Sequence, residues 1–192
     1  MEKLEKINLQ IRRCVAISSL LFLVFIFWGY RLAIKNPQDV SLVLEQTLAQ
    51  FASIKNLSAF MIFLLIFLNN AIKAFFVTIL GTLFGIVPLI FIFLNGELIG
   101  FVFGISQVEG LGVMRVLIGI APHGVLEIPA IMLSAGYGLW LGYRFLLFVL
   151  HRDEFRKYFF LALGKYFTLI LPLLFLAALI EAFITPYFLG AR

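Results

Sequence analysis

The sequence predicts an all-α membrane protein, a polytopic bundle of about five spanning helices, and three observations carry that expectation. Hydrophobic residues make up 63% of the 192-residue chain and charged residues 13%, against roughly 45–50% and about 25% in ordinary soluble domains. A soluble fold of this length buries only about 70% of the surface its unfolded chain exposes, too little to hide that much apolar material. The apolar residues also fall into five stretches, each near the ~20 residues that cross the hydrocarbon core. Composition excludes a disordered chain, a disulfide scaffold and a coiled coil: net charge is a modest +5, Cys14 stands alone, and no heptad persists. One domain, residues 1–192, accounts for the length.

The first span covers about 14–34. Lys3, Lys6, Arg12 and Arg13 precede it and Trp28, Tyr30 and Arg31 close it, an interfacial edge where a signal peptide would carry a short core and a cleavage site. The segment is therefore expected to stay attached as a spanning helix. Asn36-Pro37 then opens a turn, and Asp39 to Lys55 alternates polar with apolar residues at helical spacing. Leu42, Leu44, Leu48, Phe51 and Ile54 suit either a helix on the membrane interface or one packed on the protein's own outer surface. The remaining spans cover about 57–80, 83–106, 112–143 and 159–187. In the fourth, Pro122 follows Gly119-Ile120-Ala121, and proline is best tolerated in a helix's first turn. This helix is expected to be interrupted or kinked within the bilayer. A break would aim backbone amides at an anion, whereas a plain kink would have those groups satisfied by Asn69, Asn70 or Asn95.

Orientation follows from the basic residues. Lys3, Lys6, Arg12, Arg13, Arg144, Arg152, Arg156, Lys157 and Lys165 fall on or near one side, and Arg31, Lys35, Lys55, Arg115 and Arg192 on the other. Nine against five places the amino terminus in the cytoplasm and, with an odd number of spans, the carboxyl terminus outside. The same flanking pattern explains the excess positive charge without a nucleic-acid partner.

Polar side chains inside a membrane are expensive, so Asn69, Asn70, Lys73, Asn95, Glu97, His123, Glu127 and Glu181 each need a partner or a purpose. At ~1.5 Å rise per residue, Asn69, Asn70, Asn95 and His123 all fall near the midplane. Lys73 and Glu127 lie one turn deeper and suit an ion pair, while Glu181 falls near the outer edge. On the fourth helix His123, Glu127, Ala130, Ser134, Gly138 and Gly142 share one stripe, and a stripe of small and polar residues faces neighbouring helices. Gly96, Gly100 and Gly104 make a second ridge, and Gly81-x-x-x-Gly85 sits at the turn entering it. Pairing of these ridges between subunits is expected to give a homodimer, the alternative being that they are used up within one chain.

His123-x-x-x-Glu127 puts two metal-capable groups on one helical face, as zinc-binding helices do. The usual hydrolase pattern needs a second histidine nearby, and His151 lies about 42 Å of helix away. Nothing matches a nucleophile elbow, a P-loop or a dinucleotide fingerprint, so neither a cofactor nor a catalytic residue is expected.

The order Asn69-Asn70, Gly81-x-x-x-Gly85, Asn95-Gly96-x-x-x-Gly100, Pro122-His123-Gly124-x-x-Glu127-x-x-Ala130 and Gly136-x-Gly138 resembles the stage II sporulation protein M family over about residues 69–142. The resemblance implies a multi-spanning helical protein, commonly with five spans. It also implies a scaffold without catalytic activity, one that helps assemble a membrane complex with peptidoglycan-degrading partners. Relatives also occur where neither sporulation nor peptidoglycan does, so that role need not transfer. Two functions stand: an assembly subunit binding membrane proteins and lipids, or a transporter component holding an ion or small solute at the polar cluster. An intramembrane metal hydrolase trails for want of ligands.

Overall fold

A computed structural model describes residues 2–52, 57–151 and 154–188. Its elements are α1 (Glu2–Lys35), α2 (Pro37–Ala52), α3 (Ala59–Ile79), α4 (Ile86–Val108), α5 (Val113–His151), α6 (Phe155–Lys165), α7 (Leu171–Phe183) and α8 (Thr185–Phe188). Among the described residues five stretches are long and apolar enough to cross a membrane: Leu4–Lys35, Ala59–Thr82, Ile86–Val108, Gly124–Leu150 and Phe155–Phe183. The protein is thus an all-α, multi-pass bundle.

Asn36 is the joint between α1 and α2. Its N–H closes α1 on the Leu32 carbonyl at 2.9 Å, and its carbonyl accepts the Val40 N–H at 3.2 Å, while Pro37 starts α2 without needing a donor. Val40 and Leu44 are buried against Ala33 and Ile105, so α2 lies on the protein's own surface. Leu42 points the other way and is exposed; Ile54 and Lys55 lie outside the described residues.

Contacts fix the relative directions. Gly96, Gly100 and Gly104 of α4 advance along Phe22, Ile26 and Ala33 of α1, so these two helices run parallel. Ser18 of α1 bonds the Met132 carbonyl while Val15 meets Gly136, so α5 runs antiparallel to both. Asn70 pairs with Glu127 and Gly81 with Gly138, which makes α3 parallel to α5. Phe63 packs on Ala178 and Ala182 while Tyr166 reaches Ala71, so the last span runs against α3. The spans therefore alternate in direction, and the described ends of the chain lie at opposite ends of the bundle. Helix α5 is the hub: 61% of its apolar window is buried, against 17–33% for the other four.

The α3–α4 hairpin is tight. A 3-10 turn, Leu80–Thr82, leads to Phe84 at φ 53° and Gly85 at φ 78°, both in the left-handed region. Phe84 rests its ring against Phe145 at 5.6 Å. Gly85 lies against Gly142, whose added methyl would meet the Gly85 nitrogen. At the other end, α4 stops in a Schellman arrangement, with Gly110 at φ 69° and the Leu111 N–H on the Ser106 carbonyl at 2.9 Å.

One feature narrows the sequence reading, which left an interrupted or a kinked fourth helix open, and one adds to it. Helix α5 is helical from Val113 through Pro122 to His151, with no interruption. An internal proline costs about 3 kcal/mol, whereas a break would leave several backbone groups unpaired in lipid at several kcal/mol each. The irregularity lies instead in the fifth span, where Tyr166–Ile170 forms a π turn between α6 and α7. Pro172 follows immediately, and its ring would collide with the carbonyl four residues back in regular helix, so the wider turn accommodates it.

Candidate functional site

The intramembrane polar groups concentrate along the seam between α3 and α5. Alternation of small residues on both helices lets the backbones approach, and the polar side chains then bridge them. At one level Asn70 Nδ2 donates to Glu127 Oε1 at 3.0 Å, and Asn69 Nδ2 donates to Asn70 Oδ1 at 3.2 Å. Asn70 and Glu127 are half-buried and Asn69 is exposed. Two turns further on, Ser134 Oγ donates to the Ala74 carbonyl at 2.7 Å and lies 3.1 Å from Thr78 Oγ1, both side chains fully enclosed. Beyond them a methyl on Gly81 would overlap the backbone of Gly138, and one on Gly142 that of Gly85. Tyr166 adds a third helix at the π turn, its hydroxyl donating to the Ala71 carbonyl at 2.8 Å.

The other expected members do not join this seam. Lys73 is exposed, rotated off the buried Ala71, Ala74 and Thr78 face, and no ion pair to Glu127 occurs among the described contacts. Asn95 turns back on its own helix, Nδ2 to the Phe91 carbonyl at 2.8 Å. Glu97 is half-buried where α4 meets α1, its backbone carbonyl lying against Gly29. Asn95 and Glu97 stand apart from the seam because α4 packs mainly on α1 and little on α3. His123 sits on α5 one turn before Glu127, and its side chain lies outside the described residues. Glu181 is half-buried on the α7 face that carries Leu174 and Ala178, two residues before the last span ends at Phe183 and so near its outer edge. No three His, Cys, Asp or Glu side chains converge among the described residues.

The glycine ridges are occupied within the chain. Added methyls at Gly96, Gly100 and Gly104 would meet α1 at Phe22, Ile26, Tyr30 and Ala33, and Gly29 of α1 answers from the other side against Glu97. Gly138 lies on Val77 and Pro88.

A second polar group was not apparent from the sequence. Arg144 is 8% exposed; its Nη2 donates to Gln10 Oε1 at 2.7 Å, and its guanidinium stands 4.0 Å from the Tyr158 ring centroid. Trp140 Nε1 donates to the same Gln10 oxygen at 3.4 Å. The signal available was Trp140-x-x-x-Arg144, an i,i+4 spacing that places an aromatic ring beside the cation.

Comparison with known proteins agrees with this architecture. A family model described as Stage II sporulation protein M matches residues 18–186. An uncharacterized protein of Methanocaldococcus jannaschii is 28% identical over 127 residues, covering 62% of this chain and 68% of its own length. No solved structure matches.

Proposed function

The chain belongs to the stage II sporulation protein M family, and from that premise we propose that it is a non-catalytic assembly subunit of a membrane complex. One observation carries this reading: the polar groups of the α3–α5 seam are engaged with one another. Asn70 holds Glu127, Ser134 and Thr78 hold the Ala74 carbonyl, and Tyr166 holds that of Ala71. Such interhelical bonds fix helix register, and a platform that presents fixed surfaces to other membrane proteins needs no more chemistry than that. Any homodimer has to use faces other than the glycine ridges, which are filled inside one chain. The amino terminus then lies in the cytoplasm, because Lys6, Arg12, Arg13, Arg144, Arg156 and Lys157 gather at that end, against Arg31, Lys35 and Arg115 among the described residues at the other.

The competing transporter reading makes Glu127 and His123 a binding site, and one experiment separates the two. Asn70→Ala and Glu127→Gln should each lower stability in detergent by about 1–2 kcal/mol, and complex yield should fall in step. Proteoliposomes carrying wild type or variants should show proton and sodium flux at the level of empty liposomes. Flux by the wild type that His123→Ala removes without a change in melting temperature would overturn the assembly reading.

A further inference from the structure

At the amino-terminal end of the bundle the end of α5 and the start of α6 line an open groove of about 1000 Å³. Its walls include Phe148, Phe155, Phe159 and Phe160, with Arg156, Lys157 and Glu154 also lining it. Phe148 and Phe160 are 43% and 54% exposed, and Arg156 stands 5.6 Å from the Phe160 ring centroid. The groove lies past Gly142, the level at which the α3–α4 hairpin turns back, so it sits where the bundle leaves the hydrocarbon. Bulk acyl chains cover a smooth apolar face at such a level, but here the aromatic residues line a groove and two cations, Arg156 and Lys157, line it with them. The depth of the headgroup layer, roughly 5–7 Å per leaflet, matches one turn of helix, the spacing between Arg156 and Phe160.

We infer that this groove binds an anionic phospholipid, the acyl chains against the four phenylalanines and the phosphate on Arg156 and Lys157. The charge pattern selects an anionic over a zwitterionic headgroup. Among the described lining residues a phosphate meets two cations, whereas a choline group would meet those same cations with a single carboxylate, Glu154, beside them. A polar protein segment would leave the phenylalanine wall uncovered, which is why a lipid fits better than a soluble partner. This site is independent of whether the subunit assembles complexes or moves solutes.

The test is titration of detergent-purified protein with palmitoyl-oleoyl phosphatidylglycerol and, separately, phosphatidylcholine, with bound lipid counted by native mass spectrometry. Phosphatidylglycerol should be retained in preference. The double variant Arg156→Gln, Lys157→Gln should weaken its retention by roughly 5-fold per charge removed, and Glu154→Gln should strengthen it. Arg31→Gln, an exposed cation at the other end of α1, should leave it unchanged. Equal retention of the two lipids, or a double variant that binds phosphatidylglycerol as the wild type does, would overturn the inference. So would a Phe160→Cys chain, in a Cys14→Ser background, that crosslinks through residue 160 to a second copy, since the groove would then belong to a dimer contact.

Discussion

Arg144 shows what a single residue does at the boundary of the bilayer. Its cation is almost wholly buried among Gln10 of α1, Trp140 of its own helix and Tyr158 of α6, so it ties three helices at one point. Desolvation makes each of those contacts stronger than it would be in water, and the planar guanidinium serves a hydrogen bond at its edge and an aromatic ring at its face at once. Lysine keeps the charge but has no planar face. Arg144→Lys should therefore lower stability by about 2 kcal/mol in a denaturant titration of the detergent-solubilised protein. Combined with Gln10→Ala the loss should be less than the sum, because the two residues share one bond. In the sequence Arg144 reads as a topology charge, since its hydrogen-bond partner Gln10 lies more than a hundred positions away and Tyr158 lies on the next helix. Asn70 and Glu127 were legible because a polar side chain in an apolar run announces itself; which asparagine would reach which acid was not.

At the scale of elements, glycine decides how closely helices meet. Gly81 and Gly138 bring α3 and α5 into backbone contact, so Gly81→Ala drives a methyl into main chain that no rotamer change can clear. The expected loss is about 1–3 kcal/mol, as for overpacking in a filled core. Gly164 of α6 has nothing within 4 Å of an added methyl, and Gly164→Ala should gain up to about 1 kcal/mol from helix propensity. Measuring both by the same unfolding titration separates glycine as a contact from glycine as mere composition. Five helices and the Gly96, Gly100, Gly104 ridge could be read directly, since hydropathy and a four-residue period are local signals. Their partner Gly29 could not, because one small residue among Phe27, Trp28 and Tyr30 has no period. Prolines are ambiguous for a related reason. Pro122 and Pro172 look alike in sequence, yet one sits in continuous helix and the other follows a π turn.

For the whole molecule the two ends are unlike, and the difference bears on orientation. At the amino-terminal end α1 and α5 run on beyond the α3–α4 hairpin, α5 by the nine residues from Gly142 to His151, or about 13 Å. There Ile7, Ile11, Trp140, Leu141 and Tyr158 form the end of a core that continues into the bundle through Tyr137, Ala162 and Tyr166, with exposed Lys6, Arg12, Arg13, Arg156 and Lys157 at the same end. The opposite end is capped by α2, which folds back through Val40 and Leu44 and carries Asp39 in its first turn and no basic residue in its last. A basic extension is hard to carry across a bilayer, whereas a short helix with an acidic start is not, so the amino-terminal end should stay in the cytoplasm. Single cysteines at Asn8 and Gln38, both exposed, test this in a Cys14→Ser background. In intact cells or right-side-out vesicles, a membrane-impermeant maleimide should label Gln38→Cys and spare Asn8→Cys until the membrane is opened. The opposite pattern would invert the molecule and turn the lipid groove of α5 and α6 to the outer leaflet. Labelling of both sites before opening would mean that the chain inserts in both directions, and the excess of basic residues at one end would then not set its topology.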